Sequence, residues 1–171
     1  MVKQASVLKF GGTSVKNLGR ILHVAEIVDA WRKSGSVLVV VSAMGDTTDY
    51  LLKLAHQCSP NPDKRELDLL LSTGEQISIT LLAMTLRSMG IRARSFTANQ
   101  VGIFTENVHS KARIIDVKTE PLLRAFKDHD VLVVAGFQGV TADGDVTTLG
   151  RGGSDTTAVA LAAAIGASAC D

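Results

Sequence analysis

Aromatic residues make up only 4% of this 171-residue chain, one Trp, one Tyr and five Phe. That scarcity argues against a platform that stacks the bases of single-stranded nucleic acid. Charge of one sign is missing as well. Lys and Arg number 18 against 17 Asp and Glu, a formal net charge of +1, so the chain lacks the basic footprint of a nucleic-acid binder. The two cysteines, Cys58 and Cys170, have no metal-ligand spacing and read as reduced thiols. No uninterrupted apolar run approaches the roughly 20 residues of a membrane span. The opening Met1-Val2-Lys3-Gln4 leads straight into a short strand, without the apolar stretch of a secretory leader. A soluble, cytoplasmic protein with no membrane and no nucleic-acid partner is expected. With 46% hydrophobic and 20% charged residues, the chain has the composition of one ordinary globular domain with a real core.

What is present is an alternation of strand and helix patterns. Val7 to Phe10 reads as a short strand stopped by Gly11-Gly12, and Leu18, Ile21, Leu22, Ala25 and Val28 then recur at helical spacing. Val37 to Val41 and Val131 to Ala135 are continuous β-rich runs, the mark of strands covered on both faces. Asp46 to Thr48 can cap a helix running to about Gln57, and Ser59-Pro60-Asn61-Pro62 is a turn. Leu67 to Met89 is a long helical stretch with an expected break or kink near Thr73-Gly74. Ile91 to Thr97 alternates like a strand, and residues 101–117 hold one hairpin. Pro121 suits the first turn of a helix, Asp143-Gly144-Asp145 signals a second hairpin, and Ser154 to Ile165 is a final helix closed by Gly166. The alternation predicts an α/β fold, a three-layer αβα sandwich around a mostly parallel sheet, with no internal repeat or linker over residues 1–171.

In such sheets the ligand crevice lies beyond the carboxyl ends of the strands. Three glycine-containing turns fall there, at Lys9-Phe10-Gly11-Gly12, Ser42-Ala43-Met44-Gly45 and Gly136-Phe137-Gln138-Gly139, and their convergence predicts one shared site. A fourth loop, Leu149-Gly150-Arg151-Gly152-Gly153-Ser154-Asp155, opens the last helix, whose free N–H groups make an anion site that Arg151 can reinforce with its guanidinium fork. Lys9 can reach a phosphate that the Gly11 and Gly12 amides approach. Spacing alone gives a solvated lysine before a tight turn equal weight. Ser42, Thr47 and Thr48 can hydrogen-bond a small polar substrate, although Thr47 and Thr48 equally suit a helix cap. Glu75 can hold an ammonium group, while composition alone favours a surface glutamate. Asp155 is either a partner for the helix dipole or the acceptor that fixes Lys9. His23, His56, His109 and His129 receive no role. The chain has neither a Walker A loop nor Gly-x-Gly-x-x-Gly, which removes the P-loop and Rossmann readings.

The segments Lys9 to Ser14, Ser42 to Asp49, Ser72 to Glu75, Gly136 to Gly139 and Thr147 to Asp155, in this order and spacing, resemble the aspartate kinase family. They match it better than acetylglutamate, glutamate 5- or uridylate kinases. The resemblance implies the amino-acid kinase fold and transfer of the ATP γ-phosphate to the β-carboxylate of L-aspartate, the entry step to lysine, threonine and methionine synthesis. It implies that Lys9, Phe10, Gly11, Gly12, Thr13 and Ser14 meet the ATP phosphates, with Mg²⁺ bridging them and no metal ligand in the chain itself. Ser42, Thr47, Thr48, Glu75, Arg151, Gly152, Gly153 and Ser154 would hold aspartate, and Lys9 and Asp155 would be catalytic. The family's nucleotide-binding remainder and regulatory ACT domains lie beyond Asp171. The chain is therefore expected to be the substrate-binding lobe of the kinase domain, inactive alone and part of a homodimer at full length. The rival reading is a non-catalytic module that binds aspartate or a partner subunit.

Overall fold

A computed structural model describes residues 5–171; the reading of Met1 to Gln4 falls outside the described residues. The chain runs β1 (Ala5–Phe10), a 3-10 turn (Gly12–Val15), α1 (Leu18–Arg32), β2 (Ser36–Val41), α2 (Thr47–Cys58), α3 (Lys64–Ser88) and β3 (Ala93–Phe96). It continues through α4 (Ala98–Val101), β4 (Ile103–Thr105), β5 (Ile114–Val117), α5 (Glu120–Ala125), β6 (Val131–Ala135), β7 (Gln138–Val140), β8 (Val146–Thr148), α6 (Gly153–Ile165) and β9 (Ala169–Cys170).

Five strands form a parallel sheet in the order β3-β6-β2-β1-β9. Side chains alternate across it, as a pleated strand requires. Val37, Val39 and Val41 face a core shared with Ile21, Val24 and Val28 of α1 and Ile79, Leu82 and Leu86 of α3. Leu38 and Val40 face the opposite core, with Leu122, Phe126 and Leu161. Two apolar layers flanking one sheet make the expected three-layer sandwich. The two hairpins, β4–β5 and β7–β8, also form, but they join through a parallel β4–β7 contact into a second four-stranded sheet that periodicity did not foresee.

Three local expectations are corrected. α3 runs unbroken through Thr73-Gly74. Gly74 is there because a Cβ would come within 3.0 Å of the Ala43 Cβ, so the glycine serves helix-to-turn packing. In α1 the buried stripe is Ile21, Val24, Ala25 and Val28, while Leu18 and Leu22 are exposed. At α2, Asp46 occupies the N-cap without a side-chain cap bond; the Thr47 hydroxyl instead donates to the Met44 carbonyl at 2.6 Å. The 25-residue α3 is long and apolar enough, by length and composition alone, to cross a membrane, yet half of its most apolar stretch is buried inside the domain.

Candidate active site

Strand register aligns the three predicted turns. Phe10 pairs with Val41, and Val41 with Ala135, so the chain leaves β1, β2 and β6 at one level. The Ser42 amide donates to the Phe10 carbonyl and Gly45 N–H to the Gly12 carbonyl. This approach leaves no room at Gly12, where a Cβ would lie 2.8 Å from the Ala43 carbonyl oxygen. Above the turns opens a cleft of about 340 Å³. Lys9, Gly11 and Gly12 line it from the first turn, Ser42, Ala43, Gly45 and Thr48 from the second. Glu75 of α3, Phe137 and the loop Gly150, Gly152, Gly153, Ser154 and Asp155 complete the wall.

The glycine loop reaches the cleft through two left-handed residues, Gly150 at φ 78° and Gly152 at φ 77°. They turn the N-terminus of the 13-residue α6 toward the cleft. The Gly153 and Asp155 amides donate within the loop, to the Gly150 and Gly152 carbonyls at 3.0 and 3.1 Å, so the Ser154 amide and the positive end of the helix are what meet an anion there. Gly136 allows that approach, since a Cβ there would meet Ser154 Oγ at 2.6 Å. Phe137 holds φ 69°, a conformation that a bulky residue adopts at a cost. Its amide donates to Thr157 Oγ1 at 3.2 Å, and its carbonyl accepts from the Leu149 amide at 2.8 Å.

Charge within the cleft is arranged in two places. Lys9 Nζ lies 2.7 Å from Asp155 Oδ1, with the lysine side chain only 25% exposed. Sequence spacing left open whether Lys9 was solvated; the ion pair places it in the site, and Asp155 is its partner. Glu75, the other charged residue of the lining, is 2% exposed, which overturns the surface-glutamate alternative. Its Oε1 accepts from the Ala43 amide at 3.0 Å, while Oε2 is buried without a partner. Burial pushes the carboxyl up to about 7, against the lowering effect of the Ala43 hydrogen bond. Ser42 Oγ donates to Ser154 Oγ at 3.0 Å, joining the second turn to α6.

Not every candidate residue reaches the cleft. Phe10 packs its ring on the sheet core. Thr13 and Thr47 line a neighbouring depression with Lys16 and Tyr50. Ser14 lies in the 3-10 turn, where its amide donates to the Gly11 carbonyl. Arg151 stands exposed at the tip of its loop. Sequence reasoning placed the Gly136 to Gly139 turn at the site without foreseeing the left-handed Phe137, and it gave His109 no role, although His109 Nδ1 lies 2.9 Å from the wholly buried Asp68. The signal for Asp68 was available as a lone charge inside Leu67-Asp68-Leu69-Leu70-Leu71.

The model of the amino acid kinase family matches residues 4–171. The chain belongs to the amino acid kinase family. Among amino acid kinases it is 57% identical over 166 residues to the aspartokinase of Geobacillus stearothermophilus, covering 96% of this chain and 41% of that protein. The crystal structure of aspartate kinase from Synechocystis is 48% identical with a TM-score of 0.79, covering 96% of this chain and 27% of that one. E. coli aspartokinase III in complex with aspartate and ADP is 26% identical with a TM-score of 0.88, covering 96% of this chain and 48% of that one. This amino acid kinase chain thus spans about two fifths of the length of the curated relatives it matches.

Proposed function

We propose that residues 1–171 form the substrate-binding lobe of an aspartate kinase, which transfers the γ-phosphate of ATP to the β-carboxylate of L-aspartate. One observation carries this reading. Glu75, whose buried Oε2 has no partner, lines the same cleft as Lys9 and the α6 N-terminus. An α-amino acid with an acidic side chain supplies the complement, an ammonium for Glu75 and carboxylates for the helix end, with Arg151 available at the loop tip. Ser42, Thr48 and Ser154 add hydroxyl-bearing side chains to the lining.

The chemistry follows from the charges. The attacking carboxylate and the ATP phosphates are both anionic, so the site's task is to offset their repulsion and hold them in line. Lys9, oriented by Asp155, and the Gly11 and Gly12 amides are proposed to meet the phosphoryl oxygens as the Pγ–O bond to ADP lengthens. A new O–P bond forms to aspartate, the electron pair leaves with ADP, and the ionised nucleophile needs no base to deprotonate it. The described residues contain no group of three or more His, Cys, Asp or Glu able to hold a metal. Mg²⁺, where it accompanies ATP, would supply positive charge that offsets the phosphate oxygens, beside the charge of Lys9. The same reading makes the whole protein a cytoplasmic homodimer at the entry to lysine, threonine and methionine synthesis.

The test is a chimera in which residues 4–171 replace the matching stretch of the Geobacillus stearothermophilus aspartokinase. Supplied with ATP, Mg²⁺, hydroxylamine and L-aspartate, it is expected to form aspartyl hydroxamate, and to form none of the corresponding product from L-glutamate. Equal use of glutamate, or no product while the parent enzyme works, defeats the assignment.

A further inference from the structure

The cleft accounts for one buried acid of α3 and leaves a second without a task. Asp68, two turns before Glu75, is wholly buried, where an unpaired carboxylate would be costly. It is fully engaged. Thr148 Oγ1 donates to Oδ1 at 2.6 Å, the Ser110 amide donates to both oxygens at 2.9 and 3.1 Å, and His109 Nδ1 lies 2.9 Å from Oδ2. These partners come from two segments distant in sequence, and both bear on the glycine loop. Thr148 ends β8 and is the residue immediately before Leu149 and Gly150. Ser110 is held at φ 71°, a left-handed conformation that a serine rarely adopts, and its carbonyl oxygen lies 3.4 Å from where a Gly150 Cβ would stand. The Ala112 amide, donating to the Thr148 carbonyl at 2.9 Å, ties the two segments together.

We infer that Asp68 is a positioning residue for the anion-binding loop: through Thr148 and Ser110 it fixes the root and the backing of Gly150 to Gly153, and so sets where α6 presents Ser154 and Asp155 to Ser42 and Lys9. The inference rests on the aspartate-site reading only for its functional consequence; the structural part stands on the hydrogen bonds alone. Loss of the carboxylate leaves the Thr148 hydroxyl and the Ser110 amide unpaired and removes the contacts that hold Ser110 in its left-handed state. The loop then gains conformations in which the α6 N-terminus no longer points into the cleft. A carboxylate that merely stabilised the fold would loosen the whole domain to the same degree.

The test uses the 171-residue chain with Asp68→Leu, Thr148→Val and Thr148→Ser, followed by residue-resolved amide hydrogen exchange and by titration with L-aspartate. Asp68→Leu and Thr148→Val are expected to speed exchange at Ala112, Leu149 and Gly153 about tenfold or more, as for loss of a buried hydrogen bond to a charged group. Exchange at Val39 and Val133 in the central strands should stay within about twofold, because local opening is separable from global unfolding. The Kd for L-aspartate should rise about tenfold in both variants, the cost of a partly populated competent state. Thr148→Ser, which keeps the hydroxyl, should behave as the unsubstituted chain does. Unchanged exchange at the loop, equal acceleration in loop and central strands, or a Thr148→Ser chain that matches Thr148→Val would each overturn the inference. If Asp68→Leu does not fold, the two Thr148 variants decide alone. An unsubstituted chain that does not bind aspartate counts against the proposed function, and the exchange measurements still decide the role of Asp68.

Discussion

At the scale of single residues, the proposed function assigns binding to Glu75 and catalysis to Lys9. Glu75 ionises near 4.5 in an unfolded chain and near 7 in the fold, because burial disfavours its charge. The sign follows: stability is full below pH 4.5, falls as the unfolded state alone releases its proton, and is lower by roughly 3 kcal/mol above pH 7. Glu75→Gln should abolish that fall, because the amide oxygen can still accept from Ala43; urea unfolding at pH 5, 6, 7 and 8 measures it. A ligand ammonium favours the ionised carboxylate, so L-aspartate should bind more tightly as pH rises from 6 to 8. In the chimera, Glu75→Gln should raise the aspartate KM with little loss of kcat, since the ammonium contact serves ground and transition states alike. Lys9→Ala should do the opposite and lower kcat by roughly 10²- to 10³-fold, the range for loss of one donor aimed at developing charge. Affinity that stays flat across pH 7, or parallel losses in both parameters for both variants, would break this division.

At the scale of elements, the site depends on three strand ends and one helix start meeting without side chains in the way. Gly136→Ala tests that meeting directly. The new Cβ would stand 2.7 Å from Ser154 Cβ and 3.0 Å from its Cα, where backbone must move to admit it. A destabilisation of about 1–3 kcal/mol is expected, with weakened aspartate binding because the first turn of α6 carries both Ser154 and Asp155. Thermal unfolding and aspartate titration together check it, and intact affinity at unchanged Tm would show that α6 is not seated on Gly136. The same geometry explains what the sequence made legible. Strands β2 and β6 are unbroken β-rich runs, and glycines mark the points where each turn must pass close to its neighbour. The break expected in α3 failed because Gly74 looks like a helix breaker in one dimension, while in three it admits Ala43. The second sheet was hidden for a related reason: β4 and β7 are only three residues each, paired across more than 30 residues of intervening chain. Asp68 and His109, 41 residues apart, could be matched only once α3 and the β4–β5 loop were packed together.

At the scale of the whole molecule, the cleft built by the described residues suits the proposed amino acid and phosphoryl group better than a complete nucleotide. The cleft of about 340 Å³ sits at the low end of small-molecule sites. It is lined by glycines, hydroxyls and charged groups, with Phe137 its one aromatic side chain. That lining suits an amino acid and a phosphoryl group, and it offers little of the extended apolar surface on which a nucleoside is held. The 171-residue chain alone is therefore expected to bind L-aspartate and to form no aspartyl hydroxamate with ATP and Mg²⁺, whereas the chimera forms it. Titrating ATP into the chain should show weak, salt-sensitive binding through the triphosphate, with tripolyphosphate competing nearly as well as ATP, because the contacts proposed for Lys9 and the Gly11 and Gly12 amides are with phosphate oxygens. A strong preference for ATP over tripolyphosphate would reveal a base-binding surface within these residues. Hydroxamate formed by the chain alone at about 1–100 per second would mean that this cleft is a complete catalytic centre despite its small volume and polar lining.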